Sequence, residues 1–135
     1  MLGIHLIVEL HGVKSELLND REALEEILTR AVEISGSTII GKVFHSFSPH
    51  GVTGIIGIKE SHISIHTWPE FGYAALDIFT CRSIDPNIIL DYIVKAFNPE
   101  FYTSMILSRG EPYVEDIEPS KIPKFPSIMK KIVKE

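Results

Sequence analysis

The chain has 135 residues, of which 44% are hydrophobic and 23% charged, the composition of a soluble globular protein long enough to bury one sizeable core. No apolar run reaches the ~18 residues that a membrane span needs, and the N-terminus does not read as a secretory signal. A formal net charge of −5 argues against nucleic acid as the main partner. The single cysteine, Cys81, excludes an intrachain disulfide and suits a reducing cytoplasm.

Leu2 to Leu10 alternates, with Ile4, Leu6, Val8 and Leu10 on one face, which predicts a strand. Asn19 offers a helix N-cap, with Glu22 three residues on as in a capping box. Leu24, Ile27, Leu28, Ala31 and Val32 follow at helical spacing to an end near Ser35-Gly36. Ile39 to Phe47 and Val52 to Ile58 read as strands on either side of a Pro49-His50-Gly51 turn. After a break at Lys59-Glu60, a fourth strand is expected from His62 to Trp68. Pro69 to Gly72 then turns the chain into a fifth, Tyr73 to Phe79. Asp85 caps a second helix with Pro86 at its first position. Ile89, Ile93, Ala96 and Phe97 form its apolar stripe, Asn98-Pro99 stops it, and a last strand runs from Phe101 to Leu107.

Runs of strands with two interposed helices predict an α+β two-layer sandwich, a mainly antiparallel sheet with both helices packed on one face. Beyond Gly110 the character changes. Pro112, Pro119, Pro123 and Pro126 predict that residues 111–135 form an extension wrapping a domain of residues 1–110, with a short basic amphipathic helix starting at Ser127.

The segment after Glu60 concentrates the chemistry. On a strand, His62, Ser64, His66 and Trp68 share one face, while Ile63, Ile65 and Thr67 share the other. The first set makes a polar face on a regular element, a good place for a site. The i, i+4 spacing of His62 and His66 matches a helical zinc motif. On a strand it puts them ~13 Å apart, too far to share one ion, so no metal is expected. Residue by residue, each candidate also has an ordinary explanation: a hydrogen-bonded histidine on a wet sheet face, a strand threonine, a small buried cysteine, a solvated turn glutamate or a core phenylalanine.

Three stretches carry more. They are Phe44-His45-Ser46-Phe47-Ser48-Pro49-His50-Gly51-Val52-Thr53-Gly54, the run from Glu60-Ser61-His62-Ile63-Ser64-Ile65-His66-Thr67-Trp68-Pro69-Glu70 to Ala75, and Asp77-Ile78-Phe79-Thr80-Cys81. Together they resemble the short prokaryotic S-adenosylmethionine decarboxylase proenzymes, with the likeness running from about Gly3 to Gly110. The resemblance implies a pyruvoyl-dependent enzyme that cuts its own chain between Glu60 and Ser61. In that family the serine attacks the preceding carbonyl, β-elimination from the resulting ester leaves a dehydroalanine at the position of Ser61, and hydrolysis with loss of ammonia turns it into a pyruvoyl group.

The roles implied are separate. The histidine matching His66 removes the α-proton of Ser61 during processing, assisted by a hydroxyl at the position of Thr53, where the family usually has serine. The pyruvoyl group forms a Schiff base with the substrate amine and accepts the electrons released with carbon dioxide. The cysteine matching Cys81 returns a proton to the substrate, a role an ordinary thiol can fill at neutral pH. The carboxylate matching Glu70 accepts the ribose hydroxyls, and the aromatic ring matching Phe47 stacks on adenine. The family also implies a homodimer of processed chain pairs, with sites near the protomer boundary, supplying aminopropyl groups for spermidine synthesis. An arginine or ornithine decarboxylase built on the same machinery is the alternative within the chemistry. A binding domain that never cleaves is the alternative outside it.

Overall fold

The computed structural model describes residues 1–59, 61–110 and 127–132. Strand β1 (Gly3–His11) leads through a one-turn helix α1 (Ser15–Leu18) to helix α2 (Arg21–Ile34) and then to strands β2 (Ile39–Ser46), β3 (Val52–Ile58) and β4 (Ser61–Trp68). A 3-10 turn (Pro69–Phe71) joins β4 to β5 (Tyr73–Cys81), which is followed by helix α3 (Pro86–Phe97), β6 (Phe101–Arg109) and β7 (Ser127–Ile132). Among the described residues the strands form one antiparallel sheet in the order β2-β3-β4-β5-β1-β6-β7.

Two-residue alternation builds the core. Leu6, Val8 and Leu10 of β1, Ile56 and Ile58 of β3, Ile63 and Ile65 of β4, and Ala74, Leu76 and Ile78 of β5 are buried together. They pack with Leu24, Leu28, Ala31 and Val32 of α2 and Ile89, Ile93 and Phe97 of α3. Each of the valine, leucine, isoleucine and phenylalanine side chains contributes about 1.5–3 kcal/mol by leaving water. A one-residue slip would turn the whole apolar set outward, so this burial also sets the register. The opposite parity, including His5, Glu9, Thr53, His66 and Asp77, lies on the face without helices. This is the α+β two-layer arrangement read from the sequence.

Helix α2 departs from expectation at its start. Asp20 is the N-cap, and its side chain accepts a hydrogen bond from the Ala23 N–H at 3.0 Å. Asn19 instead terminates α1, and its Oδ1 accepts from the Gly51 N–H at 2.9 Å. The unforeseen helix α1 is the cause. It occupies Asn19 as its C-cap and leaves Asp20 with the extended backbone that a cap requires. Helix α3 follows the reading, with Asp85 capping and Pro86 in the first turn.

Strands β5 and β6 run two residues further than expected, to Cys81 and Arg109, because both pair with β1 as far as Gly3. The helix expected from Ser127 is a correction: residues 127–132 form β7, antiparallel to β6. The exposed backbone donors and acceptors of β6 outcompete a short helix that has no tertiary partner of its own. The expected wrap over residues 111–126 lies outside the described residues.

Asp20→Ala is expected to lower the unfolding free energy by ~1 kcal/mol in a urea titration. Glu22→Ala, which the Asn19 capping box would make costly, is expected to change it by less than about 0.5 kcal/mol.

Candidate active site

Two chemically distinct clusters lie at opposite ends of β4. At its start, β4 pairs antiparallel with the end of β5, with His62 opposite Phe79. This register brings Ser61 and Cys81 to the same end of the sheet. A cavity of about 240 Å³ opens there, lined by Ser37, Thr38, Lys59, Ser61, Cys81, Ser83 and Ile84 among others. The Lys59 N–H donates to the Thr38 carbonyl at 3.0 Å, anchoring the segment ahead of Ser61 beside the entry to β2. Cys81 is half-buried, and its Sγ lies 3.1 Å from Ser83 Oγ. The cavity wall therefore combines Ser61 with Cys81, Lys59 and several hydroxyl-bearing residues. Glu60 lies outside the described residues.

The second cluster is near the other end of the strand. Thr53 and His66 are direct cross-strand partners, and Thr53 Oγ1 shares a hydrogen bond with His66 Nδ1 at 2.9 Å. His66 stands five positions beyond Ser61 on β4, about 17 Å along the strand. An odd step also puts the two side chains on opposite faces. One copy of the chain therefore unites Ser61 with Cys81, and Thr53 with His66, but does not bring the two pairs together.

Phe47 and Glu70 belong to the His66 end. Phe47 is 51% exposed at the close of β2, with the His45 ring edge-on to it at 4.7 Å. Its N–H donates to the Gly51 carbonyl at 2.8 Å, closing the turn that also carries His50. The Asn19 side chain holds that turn through Gly51. The buried Thr67 hydroxyl accepts from the Val52 N–H at 2.8 Å and donates to the Leu18 carbonyl at 2.7 Å. Gly51 adopts φ +107°, and a side chain there would meet the Thr67 carbonyl at 3.2 Å, so glycine is required. Glu70, in the 3-10 turn, contacts His50 Nε2 through Oε2. The turn thus presents an aromatic ring and a carboxylate on one locked unit.

Between the ends, Asp77 organises the helix-free face. His5 Nε2 donates to its Oδ1 at 3.0 Å, and Ser64 Oγ donates to its Oδ2 at 3.1 Å. His62 packs edge-on against Phe79, with ring centroids 5.7 Å apart. It also lies edge-on to the His5 ring at 6.2 Å, whereas His66 bonds to Thr53. Among the described residues no group of three or more His, Cys, Asp or Glu side chains is arranged to hold a metal ion.

The Tyr73 hydroxyl donates to Glu9 Oε2 at 2.7 Å. Burial, then this hydrogen bond, then the Glu9 charge push its pKa well above the usual tyrosine range.

Ser83, His50 and the Asp77 network were not singled out by the sequence reading. Strand parity alone could have grouped His5 with its face and Asp77 with its own, but only the β1–β5 register joins them. For Ser83 and His50 no local signal exists, because each contact is made across a turn.

A raised Tyr73 pKa favours the protonated form in the folded state. The associated stability is complete below the unfolded-state value and is lost as pH rises toward the folded-state value. Stability is therefore expected to decline above about pH 10, and Tyr73→Phe to flatten that decline in urea titrations across the alkaline range.

The family model described as S-adenosylmethionine decarboxylase matches residues 4–110. An S-adenosylmethionine decarboxylase proenzyme of Carboxydothermus hydrogenoformans is 46% identical over 110 residues, covering 81% of this chain and 87% of that one. The proenzyme of the same name from Methanococcus maripaludis is 47% identical over 110 residues, covering 81% and 90%. Among solved structures, the adenosylmethionine decarboxylase of Aquifex aeolicus superposes with a TM-score of 0.78 at 36% identity, covering 87% of this chain and 96% of that one.

Proposed function

The chain belongs to the S-adenosylmethionine decarboxylase family, and from that premise we propose that it decarboxylates S-adenosylmethionine with a pyruvoyl group generated by cleavage between Glu60 and Ser61. The observation that carries the reading is the shared cavity of Ser61 and Cys81. Its lining fits a carbonyl at position 61, since residues bearing hydroxyl donors and a thiol line the same cavity. The names of the reported relatives favour S-adenosylmethionine over arginine or ornithine as substrate.

The pyruvoyl group supplies an electron sink for the carboxylate carbon's bonding pair. The remaining work falls to side chains. The Cys81 thiol donates a proton to the substrate α-carbon from within the cavity. Glu70 accepts the two ribose hydroxyls, and Phe47 stacks on the adenine, a pairing supported by the locked turn between them. During processing the His66 imidazole takes the Ser61 α-proton, with the Thr53 hydroxyl holding the ring through Nδ1.

The ~17 Å between Ser61 and His66 on a single strand supports a site assembled from two copies. Ser61 and Cys81 of one protomer would meet Thr53, His66, Phe47 and Glu70 of its partner. The working unit is then a homodimer, with residues 1–110 as the catalytic domain and residues 111–135 as an extension of it. The product would serve as an aminopropyl donor for spermidine synthesis, and the setting would be cytoplasmic.

Intact mass is expected to give fragments of residues 1–60 and 61–135, the second blocked at its start. A folded, uncut chain that borohydride plus substrate cannot trap would remove the pyruvoyl reading. Ser61→Ala is expected to stay whole. Cys81→Ala is expected to cleave yet lose about 10²-fold or more in kcat; unchanged kcat would take Cys81 out of the mechanism. Co-expressed Ser61→Ala and His66→Ala chains are expected to complement, because the mixed dimer holds one intact Ser61–His66 pairing. Failure to cleave in purified mixed dimers would place the site within one chain.

A further inference from the structure

The turn between β5 and α3 carries a hydroxyl to the proposed proton donor. Cys81 to Ile84 form a tight turn closed by the Ile84 N–H donating to the Cys81 carbonyl at 3.1 Å. Two further bonds clamp it. The buried Thr80 hydroxyl donates to the Ile84 carbonyl at 3.2 Å, and the Arg82 N–H donates to the Leu2 carbonyl at 3.1 Å. Asp85, next in sequence, is fixed as the α3 cap, accepting from the Asn87 N–H at 2.9 Å. A backbone held this way leaves the Ser83 side chain little freedom except its own rotamers. Its Oγ stands 3.1 Å from Cys81 Sγ, and both residues line the cavity that contains Ser61.

From this geometry we propose that Ser83 is a positioning residue for Cys81: its hydroxyl orients the thiol toward residue 61 and donates a hydrogen bond to the thiolate left after proton transfer. The inference rests on the reading of Cys81 as proton donor and adds a residue that reading does not contain. A hydrogen bond to a charged acceptor is stronger than one to its neutral form, so the Ser83 hydroxyl is placed to hold the sulfur once its proton has gone. Orientation matters too. The electrons released with carbon dioxide can be captured by a proton at either of two carbons. A proton from Cys81 on the substrate α-carbon completes the reaction, and water then releases the amine product. A proton on the protein-side carbon, followed by hydrolysis, leaves the substrate nitrogen on residue 61 as an alanine and releases an aldehyde whose oxygen comes from water. A thiol free to rotate loses its preference for the first outcome.

The test uses Ser83→Ala and Ser83→Thr in the full chain. Ser83→Ala is expected to cleave as before. Alanine at residue 61, read by mass after a counted number of turnovers, is expected to accumulate about fivefold faster or more, and Ser83→Thr to restore the parent's rate. An alanine rate in Ser83→Ala equal to the parent's would overturn the assignment of Ser83. A Cys81→Ala control separates the two ideas. If it leaves the alanine rate unchanged, the proton-donor reading of Cys81 fails, whereas a changed control with a silent Ser83→Ala defeats the Ser83 proposal alone.

Discussion

A β-strand cannot fold back on itself, and that rigidity in β4 shapes everything proposed for this protein. At ~3.3 Å per residue with alternating faces, the eight residues Ser61–Trp68 form a bar whose two ends carry different chemistry. Pairing with β5 brings Cys81 to the Ser61 end, and pairing with β3 brings Thr53 to His66. The bar is held straight by Ile63 and Ile65, fully buried beneath the helices, so bending it to unite the ends would expose the core. Packing energy and the separation of the two half-sites are therefore one constraint. Under the proposed function, a second copy would supply the other half-site without bending the strand.

The same sheet separates support from chemistry. One face gives its side chains to the helices and supplies the stability. The other is free to carry histidines, carboxylates and hydroxyls, each held by cross-strand partners on a regular element. Asp77 shows how such groups are stabilised: both carboxylate oxygens accept hydrogen bonds, one from His5 and one from Ser64. Among the described residues outside exposed positions, no buried side-chain nitrogen or oxygen lacks a partner, which is the condition for a polar face to be rigid.

The turns finish what the strands begin. The turn closed by Phe47 and Gly51 is tied to α1 through Asn19 and to β4 through Thr67. It presents Phe47 and, through His50, engages Glu70. The turn from Cys81 to Ile84 is tied to β1 and to α3 and carries Ser83. In both places a residue without any local mark is made significant by backbone bonds to distant elements. Phe47 and Cys81 are thus set on or beside short, clamped segments, an arrangement that leaves little conformational entropy to lose on binding.

By itself the sequence determined the elements and their faces. Alternation in β1 and β4, the helical spacing of Leu24, Leu28 and Val32, and the Asp85-Pro86 start of α3 are short-range signals, because they express the geometry of the backbone within a few residues. The motifs from Phe44 to Gly54 and from Glu60 to Cys81 likewise marked Phe47, Thr53, Ser61, His66, Glu70 and Cys81 for attention. Tertiary structure alone decided how these group. It brought Ser61 and Cys81 to one cavity, paired Thr53 with His66, moved Asn19 from capping α2 to holding Gly51, and turned the expected helix at Ser127 into β7. Each of these depends on strand register or on a turn anchored to a remote partner. Such contacts are set by which surfaces can be buried together, so no local periodicity encodes them.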